Sequence, residues 1–450
     1  MSVVSVAQGS LALPRSIWIL TAAMSVLLTA RGMAVPFLII YFGQVRGFGE
    51  TVAGAGIMVN AIAGVVFTLL MAGLIDRIGT RPVLIATMVG IGLSTLALPV
   101  IDSVPAFFLV MALYGLAAQL FWPAADGLAT SLISLYQAAR MFALLRVANA
   151  VGIGAGGLIG GLIISGGGAA EYRIMYIVSA IGCMIAAAIV LIFIRADEKS
   201  PGQDSSFHDF GEAAGWRAVL ADRRFIASQV IVFVLVAGFM QLQVAMPPYL
   251  RTEAGISESF IGGLLAFKTV LLVIFQMPVA GKIASWPRGM TLSIAGIAWM
   301  ISYVLIGFSP WLFVLPIIAV CIFVVGEMLF MPTSAVVVVD LAPEKLRGRY
   351  LAVNTVAWGI GWGVSSFIAG ALLSTSIPWI IWPATIAMMS AGVIGGLLYD
   401  RTAPDRYGGI APASPIGGDT YTYRQSQEIE EFDLRHPTEY DPGASSSEDS

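Results

Sequence analysis

Five ionisable side chains lie within or at the end of long apolar runs: Arg31, Asp126, Arg146, Lys268 and Glu327. An ionisable group held away from water costs about 2.5–3.5 kcal/mol on insertion scales, so it faces a partner or a polar cavity. Glu327 could load and release a proton. Burial pushes a carboxyl group toward its neutral form and a nearby base pulls it back, so a group that alternates between the two settings exchanges a proton. Arg31 is the base expected to set that balance or to contact a solute. An ion pair with Glu327, or a hydrogen bond to broken backbone near Pro36, is the structural alternative. Lys268 reads as a cavity contact. Tyr114, Gln119, Trp122, Gln241, Trp358 and Trp362 add hydrogen-bonding and aromatic surface. Trp358 and Trp362 share a helix face by their spacing, whereas Gln241 and Gln243 do not, so only one of the two amides is expected to line a path.

Enzyme chemistry finds no residues to carry it. The histidines are His208 and His436, both in polar segments, which leaves no histidine-based triad and no ordinary zinc site. The phosphate-binding pattern G-x-x-x-x-G-K-S/T is absent, so direct ATP driving is unsupported. No cofactor or metal is expected, and no basic stripe suggests nucleic acid.

The elements that must position these residues follow from composition. Of 450 residues, 58% are hydrophobic and 11% charged, and the mean hydropathy is +0.87. Soluble domains carry about 25% charged residues, so the bilayer is the expected solvent. A membrane helix needs about 20 apolar residues. Such runs recur at 17–42, 52–74, 82–101, 105–127, 142–165, 174–195, 226–250, 260–281, 289–308, 311–335, 350–373 and 378–399. Twelve spans put both termini on one side.

Base placement orients them. With cytoplasmic termini, the outer segments hold only Arg46, Arg173 and Arg251, and the spans hold Arg31, Arg146 and Lys268. Every other base among the 24 Lys and Arg falls inside, as the positive-inside rule requires. A multi-pass plasma-membrane protein with cytoplasmic termini is expected. Residues 196–225 form a hydrophilic linker. Its end could be a short interfacial helix with Phe210, Trp216, Val219 and Leu220 on one face, or plain linker. Residues 401–450 carry ten acids against four bases and read as a disordered tail. Cys183 and Cys321 lie in apolar runs and suggest no disulfide framework.

The halves repeat. A shift of 208 sets Gly47, Glu50, Gly54, Val65, Phe67, Ala72, Gly73 and Ile75 against identical residues at 255, 258, 262, 273, 275, 280, 281 and 283. A shift of 209 pairs Pro123 with Pro332 and Arg140 with Arg349. The first shift sets Asn60 against Lys268, polar groups at one depth. Parallel repeats of six spans are a common transporter architecture.

Several motifs carry a family likeness. Residues 72–84, AGLIDRIGTRPVL, resemble the A motif of the major facilitator superfamily, G-x-L-a-D-R-x-G-R-K-x-x-L. Asp76, Arg77, Gly79, Arg81 and Leu84 fall on it, while Ala72 and Thr80 depart from it. The resemblance implies that this loop latches the cytoplasmic gate against an acid ending the fourth helix, here Asp126. Thr80 occupies the usual partner position, so Arg81 or Arg77 is expected to pair with Asp126. Arg140 and Arg146 are placed in the same network, with Arg146 alternatively pointing into the cavity. Gly152, Gly156, Gly160 and Gly161 resemble the antiporter-associated C motif, with Gly157 where that motif has proline. Glycines at four-residue spacing also serve plain helix packing. Residues 326–350 resemble the tenth helix and following loop of multidrug-type facilitators.

The likeness implies an all-α polytopic fold of two pseudo-symmetric six-helix bundles, 1–195 and 226–400, around a central cavity. It implies a monomeric secondary transporter working by alternating access, similar to drug–proton antiporters that export small organic or amphipathic compounds. Two other readings stay open. The excess of mid-span bases would suit an anionic metabolite, with uptake as an allowed direction, and the acidic tail would suit a non-transporting receptor or assembly factor.

Overall fold

A computed structural model describes residues 13–70, 78–133, 138–194, 213–283, 286–343 and 346–401. The described residues hold twelve helices long and apolar enough to cross a membrane. In the first half these are α1 (Arg15–Ala34), α2 (Glu50–Leu70), α3 (Thr80–Ala97), α4 (Val104–Ser131), α5 (Ala138–Ile163) and α6 (Ala169–Phe193). In the second half they are α7 (Arg223–Phe239), α8 (Glu258–Ile283), α9 (Arg288–Gly307), α10 (Leu315–Leu341), α11 (Arg347–Leu373) and α12 (Ile381–Arg401). Large apolar side chains such as Leu109, Ile192, Phe193 and Met277 remain exposed on the helix surfaces, as expected where lipid replaces water.

The packing order carries the internal repeat. In the first half α1 packs on α5 and α6, α2 on α4, and α3 on α4 and α6. In the second half α7 packs on α11 and α12, α8 on α10, and α9 on α10 and α12. Each contact thus recurs six helices later. The two large contacts between the halves, α2 with α11 and α5 with α8, exchange under the same operation. Local geometry repeats too. Gly47 and Gly255 both take positive φ, 72° and 62°, a region open to glycine without the Cβ penalty. Glu50 and Glu258 each begin a helix three residues later. Pro123 and Pro332 both sit inside long helices.

Both halves end their first helix in a break. After α1 the chain runs through a 3-10 turn at Val35–Phe37, which contains Pro36, and a π-helical turn at Ile40–Val45. After α7 it runs through short helices at Gln241–Val244 and Met246–Thr252, the second opening on Pro247 and Pro248. Proline supplies no amide donor, so such segments leave carbonyls to be satisfied elsewhere. Tyr303 Oη donates to the Gly238 carbonyl at 2.5 Å.

The glycine run of α5 differs from expectation. Its glycines face two partners rather than one. A side chain at Gly152, Gly156 or Gly160 would strike α1, at Ser25–Leu28, Thr29–Gly32 and Met33 respectively. A side chain at Gly154, Gly157 or Gly161 would strike α8, at Thr269, Leu265 and Glu258–Gly262. The spacing contains two overlapping sets, one at four-residue steps and one at steps of three and four, so α5 is flattened both toward its own half and toward the other.

The linker helix forms at Ala213–Ala221. Val219 is buried in a cluster with Phe225, Val338, Ala342 and Tyr350, while Leu220 is exposed. Asp222 caps α7 by accepting from the Phe225 amide at 3.0 Å and accepts from Tyr350 Oη at 2.9 Å. The helix end is therefore pinned to α10 and α11. Phe210, residues 196–212 and the tail beyond Arg401 lie outside the described residues.

Gly156→Val should destabilise the protein by about 1–3 kcal/mol through overpacking against the α1 backbone. A thermal midpoint in detergent no lower than that of the unsubstituted protein would contradict the placement.

Candidate functional site

The strongest charge arrangement within the spans joins α8 to α10. Lys268 Nζ lies 2.9 Å from Glu327 Oε2, and the side chains are only 8% and 6% exposed. The Lys268 ammonium also stands 5.8 Å from the Phe239 ring centre and 5.7 Å from that of Phe323. Trp299 stacks on Phe323 at 5.6 Å, and Phe330 and Trp358 continue the aromatic wall, 5.7 Å apart. Cation–π attraction supplements the ion pair where water is excluded.

This pair corrects the expected partnership of Glu327 with Arg31. Arg31 stands beside Cys183 of α6 within the first half. α10 begins at Leu315, which places Glu327 at mid-helix, where it meets Lys268.

A second group surrounds Asp126 on α4. Its electrostatic partner is Arg146 of α5, whose guanidinium lies 5.9 Å from the Trp122 ring centre. Arg81 or Arg77 was the expected partner; Arg77 lies outside the described residues, and Arg81 is engaged elsewhere. Arg81 Nη2 instead donates to the Leu191 carbonyl of α6 at 2.7 Å. Gly79 precedes α3 at φ 94°, and Thr80 packs over Gly127, next to Asp126. Arg140 is exposed and engaged in an interaction. Asp76 and Arg77 lie outside the described residues.

Between these groups the amides and aromatics separate by role. Gln119 of α4 approaches Gly359 of α11, so it spans the two halves. Trp122, Trp358 and Trp362 are half-buried and keep surface available. Asn60 is buried where its backbone meets Gly115, and Tyr114 is buried with its hydroxyl unpartnered. Gln241 is fully buried, and its Nε2 donates to the Ser365 carbonyl at 3.2 Å. It therefore joins the break after α7 to α11 rather than lining a path, while Gln243 is half-buried.

The halves meet most tightly on the face opposite the termini, here called the far face. Arg251, in the second half, donates through Nη1 to Gln44 Oε1 at 2.9 Å and through Nη2 to the Gly167 carbonyl at 3.4 Å. The same guanidinium holds Glu258 at 2.8 Å through Nε. Thr51 Oγ1 meets Ser374 Oγ at 2.6 Å, and Ser259 Oγ donates to the Gly161 carbonyl at 3.2 Å. Sequence reading missed Arg251 and Glu258. Their signal was present, because Arg251 is among the few bases of the far-side segments.

Breaking one member of a buried pair leaves an uncompensated charge and costs about 3–5 kcal/mol. Glu327→Gln should therefore lower the thermal midpoint, and adding Lys268→Met should recover most of the loss. A double variant no more stable than the single would show that the two groups are not coupled.

The comparisons agree with this architecture. The family model described as Major Facilitator Superfamily matches residues 20–366 and 230–417, so the chain belongs to that family, whose members are membrane transporters. A relative in Planococcus maritimus, named Na(+), Li(+), K(+)/H(+) antiporter, is 22% identical over 82% of this chain and 92% of its own length. Multidrug resistance protein MdtH of Aeromonas salmonicida is 20% identical over 78% of this chain and 86% of its own. The crystal structure of nucleoside transporter NupG superposes with a TM-score of 0.71 at 13% identity, covering 86% of this chain and 99% of that one. That similarity concerns the fold.

Proposed function

We propose that this facilitator is a proton-coupled secondary transporter that exports a small organic or amphipathic compound by alternating access. The observation that carries the reading is the Lys268–Glu327 pair, sealed among aromatic rings at mid-depth. As an ion pair it is neutral overall and tolerates burial. A proton on Glu327 removes that balance and leaves the Lys268 charge alone, which costs several kcal/mol unless water reaches it. Proton loading therefore favours a conformation in which this site is hydrated, and proton release favours the sealed one. The electrical part of a proton gradient supplies about 2.3 kcal/mol per charge per 100 mV.

On this reading the solute is taken by Gln119, Trp122, Asp126 and Arg146 of one half and Trp358 and Trp362 of the other, and the approach of Gln119 to Gly359 supports bringing the two sets together. Half-buried indoles suit a flat apolar body, and the Asp126–Arg146 pair offers a charge of either sign at its edge. On this reading the terminal face is cytoplasmic, because the bases gather there. The protein would be a monomer of the plasma membrane that needs no cofactor.

A second reading has its own support. The sealed carboxylate is better shaped for a proton or an alkali cation than for a bulky solute, and one relative is named for that exchange. The anionic-metabolite reading rested on an excess of mid-span bases. Glu327 offsets Lys268, and Asp126 lies in range of Arg146, so less of that excess remains.

Reconstituted vesicles with an imposed pH gradient test these readings. Cationic dyes, alkali cations and carboxylates should be offered in turn. The expected outcome is dye export driven by the gradient and lost in Glu327→Gln. Gradient-driven flux of normal rate in that variant would place the proton elsewhere, and flux of alkali cations without dye would select the second reading. Deleting residues 402–450 should leave flux intact. Loss of every activity on that deletion would favour a tail-dependent assembly role.

A further inference from the structure

Glu258 begins α8 at the far face, where it pairs with Arg251 and accepts from Tyr172 Oη at 3.5 Å. Arg251 is the cross-link between the halves, because its other nitrogens reach Gln44 and Gly167. Its orientation depends on an ionised Glu258. A protonated Glu258 would leave the guanidinium with neutral acceptors only, and charge-assisted hydrogen bonds are roughly twice as strong as neutral ones.

Behind Tyr172 lies a group of buried phenols. Tyr41 stacks on Tyr172 with ring centres 5.4 Å apart and meets Tyr176 at 5.1 Å. Tyr114 of α4 lies within electrostatic range of Tyr176. Tyr41 Oη accepts from Arg46 at 3.4 Å. The hydroxyls of Tyr176 and Tyr114 are buried without a partner. An unpartnered buried polar group costs about 1–3 kcal/mol, and a water bridging such groups removes that cost. Two such hydroxyls, one on α6 and one on α4 and within electrostatic range of each other, are groups that a bridging water would satisfy.

Taking the proton-coupled reading above as its basis, we infer that Glu258 is a second proton-binding site, and that Tyr172, Tyr176 and Tyr114 carry its proton inward as the far face closes. With the far face open, Glu258 takes a proton from solvent and becomes a neutral acid. Arg251 re-forms the cross-link only once that proton leaves. The acid proton passes to the Tyr172 oxygen while the Tyr172 hydroxyl proton moves to a water held by Tyr176 and Tyr114. One proton is displaced: Glu258 ends as the carboxylate, each tyrosine ends neutral, and the water carries the charge as hydronium until it is released to water on the terminal side when that face opens; no bond between heavy atoms changes. Proton delivery and closure thereby become one event. Among the described residues, the charged and titratable groups facing Glu258 are Arg251 and Tyr172. Tyr41 and the Arg46–Asp102 pair stand behind them, and Glu171 lies beside the Gly166–Gly168 turn.

The test uses the full chain in lipid nanodiscs with Cys183→Ser and Cys321→Ser, spin-labelled at Ser103→Cys and Ser376→Cys, exposed positions on the far rim of each half. Acid should populate a longer distance between the labels, and Glu258→Gln should abolish that pH response. Glu258→Asp, which keeps a titrating group, should retain it with a shifted midpoint. In vesicles with the far face outward and an indicator dye enclosed, Tyr176→Phe should deliver protons to the interior roughly tenfold more slowly after an external acid jump. A pH response surviving in Glu258→Gln, or absent from both the parent and Glu258→Asp, overturns the proton site, and unchanged delivery in Tyr176→Phe overturns the route. These readouts need no transported solute, so failure of gradient-driven flux in the parent would defeat the coupled-export reading separately.

Discussion

A charge in the membrane interior must be matched within a few ångströms by a charge of opposite sign or by water. Lys268 and Glu327 satisfy this rule directly, 2.9 Å apart and shielded by Phe239 and Phe323. Much of the second half is arranged around that need. Phe239, the last residue of α7, stands beside the ammonium, and Tyr303 donates to the neighbouring Gly238 carbonyl. Trp299 donates its indole N–H to the Phe323 carbonyl at 3.0 Å, which fixes one wall of the enclosure to α10. The first half solves the same problem more openly, with Arg146 over Trp122 and near Asp126. One half thus holds a sealed pair and the other an accessible one, an asymmetry that suits an ion-coupling site on one side and a solute site on the other.

The repeat explains where that asymmetry comes from. Asn60 and Lys268 occupy equivalent places on α2 and α8. Asn60 settles against Gly115, a contact that requires no counter-ion, whereas Lys268 requires Glu327. Two differences between the repeats create the buried pair, Lys268 where the first half has Asn60 and Glu327 where it has Ala118. Glu50 and Glu258 diverge similarly. Both begin a helix that packs across the halves, yet Glu258 has Arg251 and Tyr172 within reach.

The twelve spans were legible because a membrane helix needs a long apolar run, and such runs survive errors of several residues at their ends. The sixfold packing repeat was legible from Gly47, Glu50 and Gly54 with their counterparts. Side-chain partnerships were harder, because a hydropathy pattern does not specify how each helix is rotated. Arg31 and Glu327 both lie within apolar runs, but Glu327 pairs with Lys268, while Arg31 lies within electrostatic range of Cys183. The loop motif suggested Arg81 or Arg77 as the partner of Asp126, and of these Arg81 donates to the Leu191 carbonyl of α6 instead. Gln241 looked like a lining residue because nothing in its neighbours announces a helix break before Pro247. The glycines of α5 were recognised as packing residues, yet one linear spacing cannot say that two different helices lie against them.

Those two glycine faces bear on how quickly the molecule can change shape. Side chains that interlock must leave their rotamers before two surfaces part, and each contributes to the barrier. Along the α5–α8 seam, Gly157, Gly161 and Gly262 present mostly backbone to backbone. Besides Leu265 and Thr269, which rest on Gly157 and Gly154, little has to unlock there except the polar contacts at the far end. The seam therefore behaves as a smooth bearing, tight when shut and cheap to separate, and the tempo of opening is left to a few hydrogen bonds around Arg251.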